Sequence, residues 1–229
     1  MGNITENLNR VRQRIAEAAY RCGRNPKEIT LVAVTKTVSP ERINEAIRAG
    51  VTIIGENRVQ ELRKKKEHLL PTTIHMIGHL QTNKAKYAVD LFDMIQSVDS
   101  YKLAVELQKR CESKNKKMPI LIEVNTSGES SKFGCKPEET EDLVGKISEF
   151  LALEIKGLMT IGPLTENKNE VRQAFRMLKK LYENIRSQKF SNVNFEFLSM
   201  GMSSDFEVAV EEGSNMVRIG SAIFGLRPY

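Results

Sequence analysis

The 229-residue sequence has no tryptophan, only three cysteines and three histidines, and an aromatic content of 6%. It also lacks any apolar run near the ~18 residues that a membrane-crossing helix needs. Cys22, Cys111 and Cys135 are odd in number and far apart. They fit neither a disulfide framework nor a CxxC metal or redox motif. With His68, His75 and His79 as the whole histidine complement, a histidine-rich zinc site lacks ligands, and no metal is expected. The start, MGNITENLNRVRQRI, mixes acidic and basic residues and has no basic segment followed by an apolar one, which excludes a secretory leader. Gly2 lacks the Ser or Thr that myristoylation wants at the sixth position, where Glu6 stands. Together these absences point to a cytoplasmic protein.

What is present is ordinary for a globular chain. Hydrophobic residues make up 40% and charged residues 28%, which excludes wholesale disorder. The length suits one substantial core and is short for two full-sized enzyme domains. Lysine and arginine outnumber aspartate and glutamate by 35 to 29, for a net charge of +6. The excess is concentrated in Arg63, Lys64, Lys65 and Lys66 and in Lys114, Lys116 and Lys117. Neither group is interleaved with aromatics, so both read as solvated surface rather than a nucleic-acid patch.

Apolar spacing organises the chain. Leu8, Val11, Ile15, Ala18 and Ala19 recur at helical spacing within residues 5–22, and Gly23 and Pro26 end that helix. From there short apolar runs alternate with helical segments. The runs are 31–34, 52–55, 74–78, 93–98, 119–124, 153–159, 194–199 and 216–219. Ser39 and Pro40 open the first intervening helix, as N-cap and first-turn proline. Strict alternation implies parallel strands with helical crossovers, and strands covered on both faces read as continuous apolar runs. Eight units favour a closed (β/α)8 TIM barrel over an open sheet. The whole of 1–229 reads as a single domain, with 1–30 as an extra N-terminal helix and lead-in.

Such barrels carry their chemistry at the C-terminal ends of the strands. Those ends hold Lys36, Glu56 and Asn57, His79, Ser97, Asn125, Thr160, residues 199–204 and residues 218–221. Lys36 closes an apolar strand, where shielding from water favours the neutral amine that Schiff-base chemistry needs. The plainer reading is a strand-end lysine paired with Glu56 or Asp205. After the seventh strand comes Ser199-Met200-Gly201-Met202-Ser203-Ser204, and after the eighth Arg218-Ile219-Gly220-Ser221, with a short helix at 222–224. Glycine allows close backbone approach, serines donate to an anion, and phosphate sites in these barrels sit after strands seven and eight. Arg218 adds a charge-assisted contact or, more plainly, pairs with a carboxylate in the barrel wall. In a closed barrel the first strand neighbours the eighth, so an amine lies beside a phosphate cup. That inventory suits a phosphorylated aldehyde, either pyridoxal phosphate or a Schiff-base aldolase substrate.

Other groupings carry less. His75 and His79 share a strand face on this reading and serve packing or a polar network. The run Ser127-Gly128-Glu129-Ser130-Ser131-Lys132-Phe133-Gly134 lacks a Walker pattern and reads as a flexible loop over the mouth, a candidate lid. Met159, Met200 and Met202 read as core filler.

At these same residues the sequence resembles a known family. LVAVTK ending at Lys36, Gly55-Glu56-Asn57 with Val59-Gln60-Glu61, and HMIGHLQTNK from His75 to Lys84 carry the likeness. So do the 125–134 loop, GLMTI from Gly157, LSMGMSSDFEVAV from Leu198 and VRIGSAIFG from Val217. The chain is similar, over almost its whole length, to the pyridoxal-phosphate homeostasis proteins (YggS/PROSC type). Met76, Thr82 and Asn215 depart from the family pattern without removing a proposed ligand.

That resemblance implies a barrel like the N-terminal domain of alanine racemase and the fold-type III enzymes. It implies that pyridoxal 5'-phosphate (PLP) is held as a Schiff base on Lys36. It places Ser203 or Ser204, Arg218, Gly220 and Ser221 at the phosphate and Asn57 near the ring. The implied role is intracellular vitamin B6 homeostasis without efficient turnover, with PLP-dependent enzymes as recipients. The racemases pair this barrel with a second domain and a tyrosine acting across their dimer. Here Tyr20, Tyr87, Tyr101 and Tyr182 fall in helices, and Tyr229 is at the tail. A monomer is expected. The alternatives are a small PLP-dependent racemase and, further off, a Schiff-base aldolase.

Overall fold

In the computed structural model, which describes residues 3–129 and 131–225, the apolar runs form eight strands in a closed barrel ordered β1 to β8. They are β1 (Thr30–Val34), β2 (Ile53–Glu56), β3 (Thr73–Met76), β4 (Met94–Val98), β5 (Met118–Glu123), β6 (Leu153–Met159), β7 (Val193–Ser199) and β8 (Met216–Ile219). Every neighbouring pair is parallel. Each strand lies within two residues of its expected place, because burial on both faces makes the strand itself the apolar run. Gly2, Ser130 and Tyr229 lie outside the described residues.

The helices are α1 (Ile4–Arg21), α2 (Pro40–Arg48), α3 (Val59–Lys65), α4 (Ala85–Leu91), α5 (Tyr101–Glu112), α6 (Thr140–Ser148), α7 (Lys168–Arg186), α8 (Phe206–Glu211) and α9 (Ser221–Phe224). Several are shorter than the periodicity suggests. The segment after Asn57 divides into α3 and a 3-10 turn over Lys66–His68, and residues 203–205 form a turn ahead of α8. Ser39 occupies the N-cap of α2 without bonding the helix backbone through its side chain, leaving Pro40 as the working start signal.

Asn3 caps α1 through its side chain, accepting from Thr5 N at 2.9 Å and Glu6 N at 3.3 Å. The buried stripe Ile4, Leu8, Val11, Ile15 and Ala18 follows the three-four spacing of one helical face. That face packs on α2, α8 and α9, so α1 covers the outside of the β8–β1 seam.

Most of the core lies between the barrel and its helices. The barrel interior is a smaller apolar cluster of Val32, Met94, Leu121, Met159 and Met216, supplied by five different strands. Register in the wall depends on Gly157, whose φ of +147° leaves no room for a side chain. A Cβ there falls 1.8 Å from Phe197 O on the neighbouring strand.

The basic groups are only partly solvated. Lys65 is buried. Lys66 Nζ donates to Leu91 O at 3.1 Å, and Lys116 Nζ donates to Val89 O at 2.6 Å. Both satisfy carbonyls at the C-terminal end of α4, where a cation is favoured. Lys114 pairs with Asp90 at 2.7 Å, and the Arg63 guanidinium lies 4.8 Å from the Tyr87 ring centroid. Among the described residues, no helix is long and apolar enough to cross a membrane, and Cys22, Cys111 and Cys135 are free.

Candidate functional site

The seam between β1 and β8 brings the two expected halves of the site together. Ala33 registers with Ile219, so the residues just beyond, Thr35-Lys36 and Gly220-Ser221, leave the barrel side by side. β1 stops at Val34, and Lys36 belongs to the turn that follows rather than to the strand end. It is exposed, which corrects the expectation of partial shielding. Its plainer reading is corrected too. Among the described residues its amine has no hydrogen-bond or ion-pair partner, Glu56 pairs with Lys65 at 2.6 Å, and Asp205 Oδ1 accepts from Met202 N at 2.5 Å.

Across the seam, Ser203 Oγ accepts two backbone donors, Gly220 N at 3.2 Å and Ala222 N at 3.3 Å. The Met202–Asp205 bond folds the turn that presents Ser203. Gly201, at φ +97°, docks this turn on α8, where a Cβ would lie 2.5 Å from Ala209 Cβ. Two amides converging on one hydroxyl oxygen form a small anion-accepting cup. Ser204 is exposed and has no part in that arrangement. Ser221 is exposed at the start of α9.

Arg218 is elsewhere. It is 3% exposed, and its guanidinium donates to Ser199 Oγ and Thr160 O, both at 2.6 Å. Its side chain therefore serves the barrel interior rather than the Ser203 turn. Burial lowers its pKa to about 10, with Glu123 and Asp205 opposing, so it stays cationic at neutral pH. Ser199 Oγ donates to Gln96 Oε1 at 2.7 Å, and Gln96 Nε2 lies 2.9 Å from His75 Nδ1. A buried polar chain thus crosses the barrel from β8 to β3. Burial pushes His75 down to about 4, so it is neutral.

His79 lies past the end of β3 and is exposed, so the two histidines do not share a strand face. It pairs with Asp99 at 3.2 Å and stacks on Phe133 with ring centroids 3.7 Å apart. Phe133 belongs to the loop after β5. Asn125 Nδ2 braces that loop by donating to Glu129 O at 2.8 Å, and Lys132 Nζ ties it to Gly162 O at 2.9 Å. The segment therefore reaches from β5 to the loops after β3 and β6.

Four buried polar atoms near the strand ends lack a hydrogen-bond partner among the described residues: Glu56 Oε2, Asn57 Oδ1, Ser97 Oγ and Glu123 Oε2. Glu123 ends β5, and burial, with Asp99 adding to it and Arg218 opposing, raises its carboxyl to about 7. Met159 and Met200 are fully buried, as core filler should be.

Sequence reasoning missed Lys65. Its ammonium donates to Thr35 O at 2.9 Å, to Glu61 Oε1 at 3.0 Å and reaches Glu56 Oε1 at 2.6 Å. The signal was present in helical phase: Val59, Leu62 and Lys65 form the buried stripe of α3.

An unpaired amine beside paired backbone donors and a serine, over a buried arginine, is a donor set that fits a phosphorylated aldehyde. The fold is that of a parallel (β/α)8 barrel with these donors at the C-terminal mouth. Comparison with known proteins agrees with that class. Residues 2–228 match the model of the alanine racemase N-terminal domain. The pyridoxal phosphate homeostasis protein of Aquifex aeolicus is 45% identical over 229 residues, covering 99% of this chain and 100% of that protein. PipY of Synechococcus elongatus, in a structure with PLP bound, superposes with a TM-score of 0.80 at 33% identity, covering 94% of this chain and all of that one. The alanine racemase of Clostridium difficile shares the fold at 15% identity and a TM-score of 0.77, over 99% of this chain and 57% of its own. The chain belongs to the alanine racemase N-terminal domain family and, within it, to the pyridoxal phosphate homeostasis proteins.

Proposed function

We propose that this chain binds PLP at the C-terminal mouth of the barrel, as a Schiff base on Lys36, and serves intracellular PLP homeostasis without efficient turnover. The observation that carries the reading is the convergence of Gly220 N and Ala222 N on Ser203 Oγ beside the turn carrying Lys36, whose amine has no partner among the described residues. When bound, PLP supplies an aldehyde that condenses with a primary amine, and a ring that accepts electrons.

The chain's own residues divide the work. Lys36 supplies the amine. Ser203, Gly220, Ser221 and the Ala222 amide would hold the phosphate through hydrogen bonds to its oxygens. Arg218, cationic and anchored on Ser199 and Thr160, contributes positive potential from within the barrel rather than a direct phosphate contact. Asn57, with a buried oxygen that lacks a partner among the described residues, would bond the ring's polar substituents. Ser204 is outside the contact set.

Slow turnover is supported by where the tyrosines are. Tyr20 is exposed on α1, Tyr87 lies under the cations of Arg63 and Lys86, Tyr101 stacks on Phe150, and Tyr182 donates to Phe195 O at 3.0 Å. None of these four is bonded to the Lys36 turn or to the Ser203 turn, so none is poised to move a substrate proton. PLP-dependent enzymes receiving the cofactor, a cytoplasmic location consistent with three free thiols, and a monomer complete the reading.

Its test is the absorption spectrum of purified protein with PLP, before and after borohydride. A visible band that borohydride abolishes, leaving the label on protein, supports the reading. Absence of that band at saturating PLP overturns it. Rapid exchange of amino-acid α-protons in deuterated water would instead make the protein a racemase.

A further inference from the structure

We infer that Lys65 is a positioning residue for Lys36: it locks the turn carrying the amine so that covalent capture, rather than cofactor binding as such, depends on it. The inference rests on the reading of Lys36 above. An ammonium has three donors. All three of Lys65's are committed, to Thr35 O at 2.9 Å, Glu56 Oε1 at 2.6 Å and Glu61 Oε1 at 3.0 Å. The Thr35 carbonyl belongs to the peptide that joins Thr35 to Lys36, so Lys65 grips the backbone immediately before the reactive residue. Thr35 Oγ1 donates to the same Glu56 oxygen, and Thr35 N donates to Gly55 O at 2.9 Å.

The other side of Lys36 is held by the same group of residues. Thr37 has φ +59°, a left-handed conformation that a β-branched residue rarely adopts. Its N–H donates to Glu61 Oε1 at 2.5 Å, the oxygen that also accepts from Lys65. Backbone strain of this kind persists where its surroundings over-determine it. Lys36 thus sits between two peptides fixed by one buried cation and its carboxylates, while its own side chain stays exposed and, among the described residues, unpartnered. Lys65 is 6% exposed and Glu56 is fully buried, so neither serves the surface.

In the step this serves, the Lys36 nitrogen bonds to the aldehyde carbon and its two protons leave with the aldehyde oxygen as water. A fixed turn favours that step through orientation. It has little bearing on the phosphate contacts, which belong to the β8 side of the seam. Lys65 therefore separates the two components of affinity.

The experiment compares two ligands on wild type, Lys65→Met and Glu61→Ala, each checked for fold by circular dichroism. PLP is read as borohydride-trapped adduct on Lys36. Pyridoxine 5'-phosphate, which has the ring and phosphate but no aldehyde, is read by calorimetry. Lys65→Met should lower the adduct equilibrium by roughly tenfold or more, as expected for losing charge-assisted bonds, while pyridoxine 5'-phosphate binding stays within about twofold. Glu61→Ala, at a partly exposed site, should move in the same direction by severalfold, and it decides the matter if Lys65→Met does not fold. Unchanged adduct formation in the folded variants, or equal loss of both ligands, overturns the inference. A wild type that binds both ligands without adduct on Lys36 overturns the reading of Lys36 itself, a distinct outcome.

Discussion

Replacing Glu123 by Gln should make the protein more stable at alkaline pH, by an amount the structure sets. Glu123 ends β5 at 3% exposure, with Oε2 unpartnered among the described residues. Burial and Asp99 raise its carboxyl from 4.5 to about 7, against the pull of Arg218. Between those two values the folded state holds more protons than the unfolded state. The stabilisation is therefore complete below 4.5 and lost as pH climbs through 7. The full loss is about 3 kcal/mol, of which about 2 kcal/mol or more develops between about pH 5 and about pH 8.5. Glutamine mimics the protonated acid and removes this dependence. His75 has the opposite sign: burial lowers it from 6.5 to about 4, so its contribution is lost as pH falls through that range. Both proteins carry it, and it cancels in the comparison. The assay is urea unfolding followed by far-ultraviolet circular dichroism, since the sequence has no tryptophan to report by fluorescence. Wild type and Glu123→Gln curves of stability against pH that run parallel within about 0.5 kcal/mol would refute the reasoning.

Three further substitutions test the frame and the cup. Gly157→Ala should cost more than about 2 kcal/mol, because φ +147° and a Cβ at 1.8 Å from Phe197 O cannot both be relieved without moving β7. An unchanged melting temperature would contradict the register given to β6 and β7. Ser203→Ala should weaken PLP binding roughly tenfold, whereas Ser204→Ala leaves it within about twofold. The reverse order in a titration would reassign the serine at the phosphate.

The barrel was legible because its strands are buried on both faces, so each is an uninterrupted apolar run bounded by turn residues. β6 (Leu153–Met159) and β8 (Met216–Ile219) match their expected spans residue for residue. The mouth was legible only to the extent that strand order dictates it: the turns carrying Lys36 and Gly220 leave neighbouring strands because β1 pairs with β8, and Ser203 accepts from Gly220 N. What stayed hidden depends on side-chain direction. Arg218 looks like a phosphate ligand by its position, but its side chain enters the barrel and joins Ser199, Gln96 and His75. That chain of contacts links β8, β7, β4 and β3, and only inter-strand register brings them together. Lys65 was hidden among four consecutive cations, of which it alone is buried on the α3 stripe.

The most direct test of the central claim is the site of borohydride-fixed PLP, read by mass spectrometry of the digested protein. The account predicts the label on the peptide containing Lys36 and its disappearance in Lys36→Ala. Label on another lysine with Lys36 unmodified, or undiminished label in Lys36→Ala, would contradict it.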